Sequence, residues 1–226
     1  MTISLIIPVF NEEKYIKKCL ESLCQQIKKP EEIIIVDNNC TDKTINIVKK
    51  FSQKLPLKII KEKKQGMTYA RNCGFNDAQY EILARCDADT ILPLDWIKKI
   101  DNNFKKEKID ALTGPIYFYD LPFKNIPYTN FLLDVYKLIR RGEESLIGPN
   151  MAITKKIWLK IKNKVCLDNQ KIHEDIDLSI HIYKEGGRVK RDPTLLVAAS
   201  GRRIKYNPLS FFVEYPIRLY KTLALH

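Results

Sequence analysis

Two aspartates separated by one residue, Asp87 and Asp89, follow the apolar run Ile82-Leu83-Ala84. Two carboxylates with this spacing can surround one hard divalent cation, which prefers oxygen ligands and often keeps phosphate oxygens among them. Such a cation neutralises the charge that builds up on a departing diphosphate. Because Asp-x-Asp is also common in ordinary loops, the motif gains meaning only from its structural context. The pair therefore predicts a metal and diphosphate site, provided that the fold places it at a ligand-binding edge.

The same four residues, Asp87-Ala88-Asp89-Thr90, also fit the opening motif of HAD-like Mg²⁺-dependent phosphatases. In those enzymes the first Asp is the nucleophile and the second is the acid/base. That motif normally opens its domain, whereas two or three strand-helix units precede it here. No later acidic pair behind a glycine completes a phosphatase metal site. Phosphatase activity is retained as an alternative function.

Short runs rich in β-branched residues alternate with helical periodicity along the first half of the chain. Strands are predicted at residues 5–9, 33–36, 57–60 and 82–86, and one longer strand near residues 111–117. Successive strand-helix units of this kind predict a mostly parallel sheet. Because open α/β sheets bind ligands at the carboxyl ends of their strands, Asn11, Asp37 and Asp87 should share one edge.

The composition is typical of one globular domain: 226 residues, of which 45% are hydrophobic and 29% charged. The formal net charge of +12 favours phosphates, nucleic acid or an anionic membrane surface as partners, although a Lys-rich solvated surface explains it equally well. Six cysteines without zinc-site spacing predict a reduced, cytoplasmic environment. No apolar run reaches the roughly 18 to 20 residues that span a bilayer, so no membrane insertion is expected.

The C-terminal residues 206–226 mix aromatic and basic side chains, including Phe211, Tyr215 and Arg218, with two prolines. This composition suits a membrane interface, and it equally suits a helix that packs on the domain. We therefore expect either peripheral attachment to the inner face of a membrane or packing on the domain. A basic nucleic-acid-binding or membrane-binding module is a further alternative, but the aromatic residues lack the pattern of a nucleic-acid stacking surface, and no nucleic acid is expected as a partner.

Five segments occur in the order seen in family 2 glycosyltransferases, which the chain resembles from residue 3 to about residue 203. They are Ile7-Pro8-Val9-Phe10-Asn11-Glu12-Glu13, Val36-Asp37-Asn38-Asn39-Cys40-Thr41-Asp42, Ala70-Arg71-Asn72-Cys73-Gly74, Asp87-Ala88-Asp89 and His173-Glu174-Asp175-Ile176-Asp177-Leu178. The resemblance implies an α/β fold: a single Rossmann-like GT-A domain at residues 1–205, with a mostly parallel sheet flanked by helices. Its nucleotide-binding half would be residues 1–109 and its acceptor-binding half residues 110–205. Residues 206–226 would form a short amphipathic helical segment.

The resemblance also implies a role for individual residues on the donor side. Nucleotide contacts would come from Pro8, Phe10, Glu12, Asp37, Asn38, Arg71, Asp87 and Ala88. Asp89 would bind a divalent metal, Mn²⁺ or Mg²⁺, with Asp87 as a second ligand, and Arg202 and Arg203 would contact the diphosphate. Most relatives have Tyr at position 10 and many have Asp at position 38, so the identity of the base, of UDP or GDP type, stays open.

On the acceptor side, the resemblance implies that Asp175 is the general base, with Glu174 and Gly148 behind it or against the acceptor. Acidic residues are also common in the first turn of a helix for electrostatic reasons alone. The implied reaction is metal-assisted sugar transfer, with inversion, from a nucleotide-diphosphate sugar to a hydroxyl of a carbohydrate or lipid-linked acceptor. Cell-surface polysaccharide or glycolipid synthesis is the expected setting.

Overall fold

The computed structural model describes residues 1–121, 128–168, 172–207, 209 and 213–226. The strands are β1 (Ile3–Val9), β2 (Glu32–Asp37), β3 (Leu57–Lys61), β4 (Ile82–Arg85), β5 (Ala111–Thr113), β6 (Ile116–Phe118), β7 (Met151–Thr154), β8 (Val189–Arg191) and β9 (Val197–Ala199). The helices are α1 (Ile16–Cys24), α2 (Thr44–Lys49), α3 (Met67–Asp77), α4 (Trp96–Lys106), α5 (Tyr128–Ile139), α6 (Lys155–Ile161), α7 (Glu174–Lys184), α8 (Arg202–Tyr206) and α9 (Tyr215–Ala224).

Seven strands form the central sheet, in the order β3-β2-β1-β4-β7-β5-β8. The first four strands in sequence, β1 to β4, pair in parallel, which confirms the predicted βα units. β7 runs antiparallel to both of its neighbours, β4 and β5. The β7 strand therefore joins the two halves of the chain within one sheet, and the α/β fold class predicted from the sequence is confirmed.

Helices cover both faces of this sheet, because the strands are apolar on both faces. Along β1, Leu5 and Ile7 belong to the core beneath α1 and α4, whereas Ile6 belongs to the core beneath α3 and α7. A Cβ at Gly74 of α3 would come within 2.5 Å of the Ile6 side chain. Glycine at this position lets α3 lie directly against the sheet, which fixes where the helix presents its side chains.

The strand predicted over residues 111–117 is wrong as a single element. The structure divides it into β5, which belongs to the central sheet, and β6, which pairs with β9 in a separate two-stranded sheet. The division falls at Gly114-Pro115, where proline has no N–H to continue a ladder. A side chain at Gly114 would also collide with the carbonyl oxygen of Leu195, 2.0 Å from the Cβ position.

The C-terminal helix α9 packs on the domain through α7. The hydroxyl of Thr222, a buried residue, accepts a hydrogen bond of 2.9 Å from the backbone N–H of His173. The opposite side of α9 remains exposed, since Ile217 is 47% and Tyr220 74% accessible, and Leu225, which follows the helix, is 62% accessible. None of the helices among the described residues is both long and apolar enough to cross a membrane.

Candidate functional site

The carboxyl ends of β1, β2 and β4 lie side by side, as predicted, and their following loops form one edge. The backbone N–H of Asn38 donates to the carbonyl of Val9 at 3.0 Å, which joins the ends of β2 and β1. The side-chain oxygen of Asn11 accepts from the N–H of Thr41 at 2.8 Å. Asp87 follows β4 two residues after its end. The polar residues predicted at this edge are therefore brought together.

On the predicted nucleotide side, two residues are placed so that a ligand can reach them. Phe10 is 49% exposed just beyond β1, whereas Pro8 is buried within the strand. Asp37 is partly exposed, and its Oδ1 accepts from the N–H of Cys40 at 2.8 Å, as in an Asx turn. Phe10 thus offers a ring face for stacking beside the Asp37 carboxylate.

Asn38 has a structural role in this conformation. Its amide donates to the carbonyls of Glu62 and Lys64, at 3.0 and 2.7 Å, and accepts from the N–H of Gly66 at 2.9 Å. The residue is only 3% exposed. The resemblance predicts a nucleotide contact for Asn38, but its side chain instead holds the loop at residues 62–66 against β2.

The Asp-x-Asp pair lies where β4 opens into this edge, with Ala88 buried between the two carboxylates. The side chain of Asp87 is 26% exposed and that of Asp89 only 12%. Burial, followed by the negative charge of Asp87, raises the pKa of Asp89 from 3.8 to about 7. Two carboxylates crowded in this way fit a hard divalent cation, because its charge relieves their repulsion.

Arg202 lies across these acidic groups. Its Nη1 and Nη2 donate to the two carboxylate oxygens of Glu12 at 2.7 and 2.5 Å, and its Nε is 3.2 Å from Oδ2 of Asp89. The guanidinium also stacks over the ring of Tyr15, with 4.5 Å to the centroid. Glu12, Asp89 and Arg202, predicted from different segments, therefore meet at one point.

A buried ion-pair chain connects the Asp-x-Asp pair to the start of α7. Glu174 lies between two fully buried guanidinium groups and forms short ion pairs with Nη1 of Arg71 and Nη1 of Arg85. Nη2 of Arg85 reaches Oδ1 of Asp87 at 3.0 Å. Burial alone would raise the pKa of Glu174, but the two guanidinium groups outweigh it and lower that pKa. Glu174 is therefore held as a charged carboxylate.

Arg71 occupies a different place from the one the resemblance implies. Its guanidinium is 0% exposed, and besides the Glu174 carboxylate it binds the Glu174 carbonyl at 2.8 Å and Oδ1 of Asn72 at 2.8 Å. A donor contact is therefore not available to Arg71 in this conformation. It acts behind the site by fixing the first residue of α7.

Asp175 follows Glu174 and points to Gly148. Its Oδ2 accepts from the Gly148 N–H at 3.1 Å. Burial, and then the charge of Glu174, raises the pKa of Asp175. A Cβ at Gly148 would come within 2.9 Å of Nη2 of Arg85, so a glycine is needed where the backbone passes between this guanidinium and the Asp175 carboxylate.

Arg203 does not join Arg202. It is exposed, and its guanidinium lies 5.9 Å from the ring centroid of Tyr215 at the start of α9. The sequence predicts similar diphosphate roles for the two arginines, whereas the structure places only Arg202 against the acidic groups.

Arg85 is the residue of this site that sequence reasoning missed. An arginine closing the apolar strand β4, two residues before Asp87, is the signal that could have revealed it, because a charge in a buried strand requires a partner. Tyr15, beneath Arg202, carried no such signal.

Comparison with known proteins places this geometry in a family. The glycosyl transferase family 2 model matches residues 4–165. The chain belongs to glycosyltransferase family 2. Family membership favours glycosyl transfer over the phosphatase alternative for the Asp-x-Asp motif.

Two curated family relatives illustrate the range of the similarity. The chain is 29% identical over 157 residues to chondroitin synthase of Pasteurella multocida, covering 68% of this chain and 16% of the relative. It is 26% identical over 204 residues to cholesterol galactosyltransferase of Borreliella burgdorferi, covering 83% and 56%. This chain thus spans about half the length of one of these relatives and much less of the other.

Solved structures confirm the GT-A fold. TarS 1–349 of S. aureus in complex with UDP-GlcNAc superposes with a TM-score of 0.71 at 24% identity, covering 89% of this chain and 59% of that one. The mannosyltransferase PcManGT of Pyrobaculum calidifontis, in complex with GDP-Man and Mn²⁺, gives a TM-score of 0.76 at 19% identity, covering 99% and 63%.

The elevated pKa of Asp89 can be tested in the metal-free protein. A carboxyl-carbon NMR titration should show the Asp89 midpoint near pH 7, lowered in Asp87→Asn and raised in Arg202→Gln, since Asp87 raises and Arg202 lowers this pKa. The folded state keeps the proton that the unfolded state loses near pH 3.8, so this group's contribution to stability falls between pH 3.8 and about 7 and is constant above. Asp95→Asn, at the N-terminus of α4, is the control and should leave the Asp89 midpoint unchanged. An Asp89 midpoint near pH 4 in the parent chain would contradict the elevated pKa.

The ion-pair chain predicts a large cost for neutralising its central carboxylate. Glu174→Gln leaves Arg71 and Arg85 buried without the carboxylate that pairs with both of them, and should lower the free energy of unfolding by about 3–5 kcal/mol, measured by urea denaturation. Glu107→Gln is the matched control, because Glu107 also pairs with two cations, Arg188 and Lys190, but at the surface. Its effect should be small, and equal losses in the two variants would refute the role given to burial.

Proposed function

We propose that this chain transfers a sugar from a nucleotide-diphosphate sugar to an acceptor hydroxyl, with inversion at the anomeric carbon. The observation that carries the proposal is the chain Asp87–Arg85–Glu174, because it joins the Asp-x-Asp pair to the helix that begins with Glu174-Asp175. The Asp-x-Asp pair, which would face the diphosphate, and the candidate base Asp175 are thereby held in fixed positions relative to each other, as a direct displacement requires.

Asp175 is the proposed base. Its raised pKa makes its carboxylate a better proton acceptor than an ordinary aspartate. It would take the proton from the acceptor hydroxyl while that oxygen bonds to the anomeric carbon and the bond to the diphosphate oxygen breaks. The nucleoside diphosphate leaves on the opposite face, which inverts the configuration. Gly148 supports the base through its N–H, which fixes the orientation of the carboxylate.

Asp89 and Asp87 are the proposed ligands of a divalent metal, Mn²⁺ or Mg²⁺, with Glu12 beside them. When bound, the metal neutralises the charge on the leaving diphosphate. The charge and burial of Asp89 support this assignment, and so does a structural neighbour in complex with Mn²⁺. Arg202 holds Glu12 and Asp89 in this structure, so we propose that it moves from them to the diphosphate when a metal and donor bind. Arg203, one residue on, would assist at the outer side.

The proposed nucleotide position lies at the ends of β1 and β2. Phe10 would stack on the base and Asp37 would bind the base or ribose, with Pro8 shaping the strand end. The neighbours in complex with UDP-GlcNAc and with GDP-Man support a donor of UDP or GDP type.

A lipid-linked or glycolipid acceptor at the inner face of a membrane is the proposed acceptor class. One relative is named for galactosyl transfer to cholesterol, a lipid. In this chain, Ile217 and Tyr220 expose an apolar side of α9, with Lys221 next to Tyr220 in sequence and the exposed Leu225 just after the helix. Apolar and aromatic groups next to a cation suit an anionic membrane surface. This placement supports a role in cell-surface polysaccharide or glycolipid synthesis.

Two experiments test the proposed reaction. Isothermal titration with UDP and GDP, with and without Mn²⁺, measures nucleotide binding. Donor hydrolysis is measured for a panel of nucleotide sugars. One nucleotide should bind in a metal-dependent manner. Asp89→Ala should abolish that binding, because it removes a proposed metal ligand. Asp175→Asn should bind the nucleotide normally but lose about 10²–10⁴-fold in turnover, as expected for removal of a general base.

Asp110→Asn serves as the control for both losses, because Asp110 precedes β5, where its Oδ2 accepts from the N–H of Arg188. Nucleotide binding that needs no metal, or an Asp175→Asn variant with normal turnover, would overturn the assignment of roles.

Membrane attachment is tested by co-sedimentation with vesicles of phosphatidylglycerol and phosphatidylcholine. The double variant Ile217→Ser/Tyr220→Ser should pellet less than the parent chain, because it removes exposed apolar area from α9 without touching the Thr222 contact. Leu94→Ser/Leu159→Ser is the matched control, since both leucines are 54% exposed elsewhere. Equal pelleting of the parent and the α9 variant would remove α9 from the membrane contact.

A further inference from the structure

A second group of potential ligands lies on α7, away from Asp175. Asp177 and His181 are one helical turn apart, and His226 reaches them from the end of the chain beyond α9. One ligand atom from each, a carboxylate oxygen and two imidazole nitrogens, lies within 4.8 Å of the others. Because Asp175 and Asp177 are about 200° apart around the helix, this group is distinct from the proposed active site.

The Asp177 carboxylate is the centre of the group. Its side chain is 0% exposed, and its Oδ2 accepts from the N–H of Cys166 at 3.0 Å, which orients the carboxylate. Its Oδ1 lies 2.8 Å from Nε2 of His226 and 3.6 Å from Nε2 of His181. Both imidazoles therefore direct Nε2 at the same oxygen.

Hydrogen bonding accounts for one of these imidazoles but not for the other. Lys184 Nζ lies 3.2 Å from Nδ1 of His226, so a chain of donors can run from Lys184 through His226 to Asp177. The 3.6 Å between His181 and Asp177 is too long for a hydrogen bond. The ring of His181 is instead packed perpendicular to that of His226, with 4.9 Å between centroids.

We propose that Asp177, His181 and His226 bind a zinc-class cation. In a tetrahedral zinc site with bonds of about 2.0–2.1 Å, neighbouring ligand atoms are about 3.3 Å apart. The two separations from Oδ1 of Asp177, 2.8 and 3.6 Å, lie on either side of that value, and all three ligand atoms lie within 4.8 Å of one another, so rotation of the two rings can bring them to a shared cation. Two imidazole nitrogens and one carboxylate oxygen select Zn²⁺ or Co²⁺ over Mg²⁺, which takes oxygen ligands. A water molecule would fill the fourth position.

The consequence of this site is structural. The cation would fasten the residues that follow α9 to the middle of α7, the helix whose first turn carries Glu174 and Asp175. It would add to the contact between Thr222, in the last turn of α9, and the backbone N–H of His173. The proposal is independent of glycosyl transfer, because none of its three ligands belongs to the donor or acceptor site.

Co²⁺ absorption spectroscopy and zinc calorimetry on the full chain test the site. One equivalent of Co²⁺ should give the intense visible bands of a tetrahedral complex, in the parent chain and in Asp89→Ala. His181→Asn and His226→Gln should each weaken Zn²⁺ binding by at least about 10-fold, since each removes a ligand. His173→Gln, which changes the third histidine of the chain, should keep the bands.

Lys184→Gln separates a metal site from a hydrogen-bonded cluster. Coordination through Nε2 puts the remaining proton of His226 on Nδ1, facing the Lys184 ammonium, whereas a glutamine oxygen can accept that proton. The metal site therefore predicts tighter Zn²⁺ binding in Lys184→Gln. Metal-free thermal melts of each variant establish that it is folded. Bands that persist in both cluster-histidine variants, bands lost only in Asp89→Ala, or weaker binding in Lys184→Gln would each overturn the proposal.

Discussion

The pairing of Glu174 with Arg71 and Arg85 is the interaction on which the geometry of the site depends. It brings α3, β4 and α7 to one point, and each of these elements carries a functional segment. Buried charges are expensive to desolvate, so the three groups are stable only together. The same guanidinium of Arg85 binds Asp87 and occupies the space where a side chain at position 148 would lie. A shift of any one element would therefore leave a buried charge without a partner, which makes the relative placement of the Asp-x-Asp pair and Asp175 stiff.

The pKa values of the neighbouring carboxylates Glu174 and Asp175 are shifted in opposite directions. Two guanidinium groups hold Glu174 ionised, whereas burial and the nearby Glu174 charge raise the pKa of Asp175, one residue along. The pKa of Asp89 is raised in the same way, by burial and by the charge of Asp87. Environments that separate the pKa values of adjacent acids also separate their chemical roles. Glu174 is suited to fixing positions and Asp175 to accepting a proton, which is the division that the resemblance implied and for which the ion pairs give a physical reason.

The parts of the fold that depend on local sequence were predictable. The apolar runs identified β1 to β4, and the polar residues after them identified the edge of the sheet on which Asp37 and Asp87 both lie. Contacts between distant segments were not predictable: Arg71 and Glu174 are 103 residues apart, and a surface position is the ordinary expectation for an arginine on a helix. The amide of Asn38 binds backbone carbonyls 24 and 26 residues away, for which no side-chain pattern exists. The division of the strand near Gly114 likewise depends on where Leu195 lies.

Arg85 and Arg202 both bind acidic groups of the same edge, yet their surroundings give them different mobility. Arg85 is 2% exposed and lies among groups that cannot move without exposing a buried charge. Arg202 is 32% exposed and begins the short helix α8, so water can reach its guanidinium more easily than that of Arg85. The edge thus combines a fixed cation beneath the Asp-x-Asp pair with a movable cation above it. This arrangement lets the acidic residues stay in place while the groups that cover them change, which suits the proposed binding and release of a charged diphosphate.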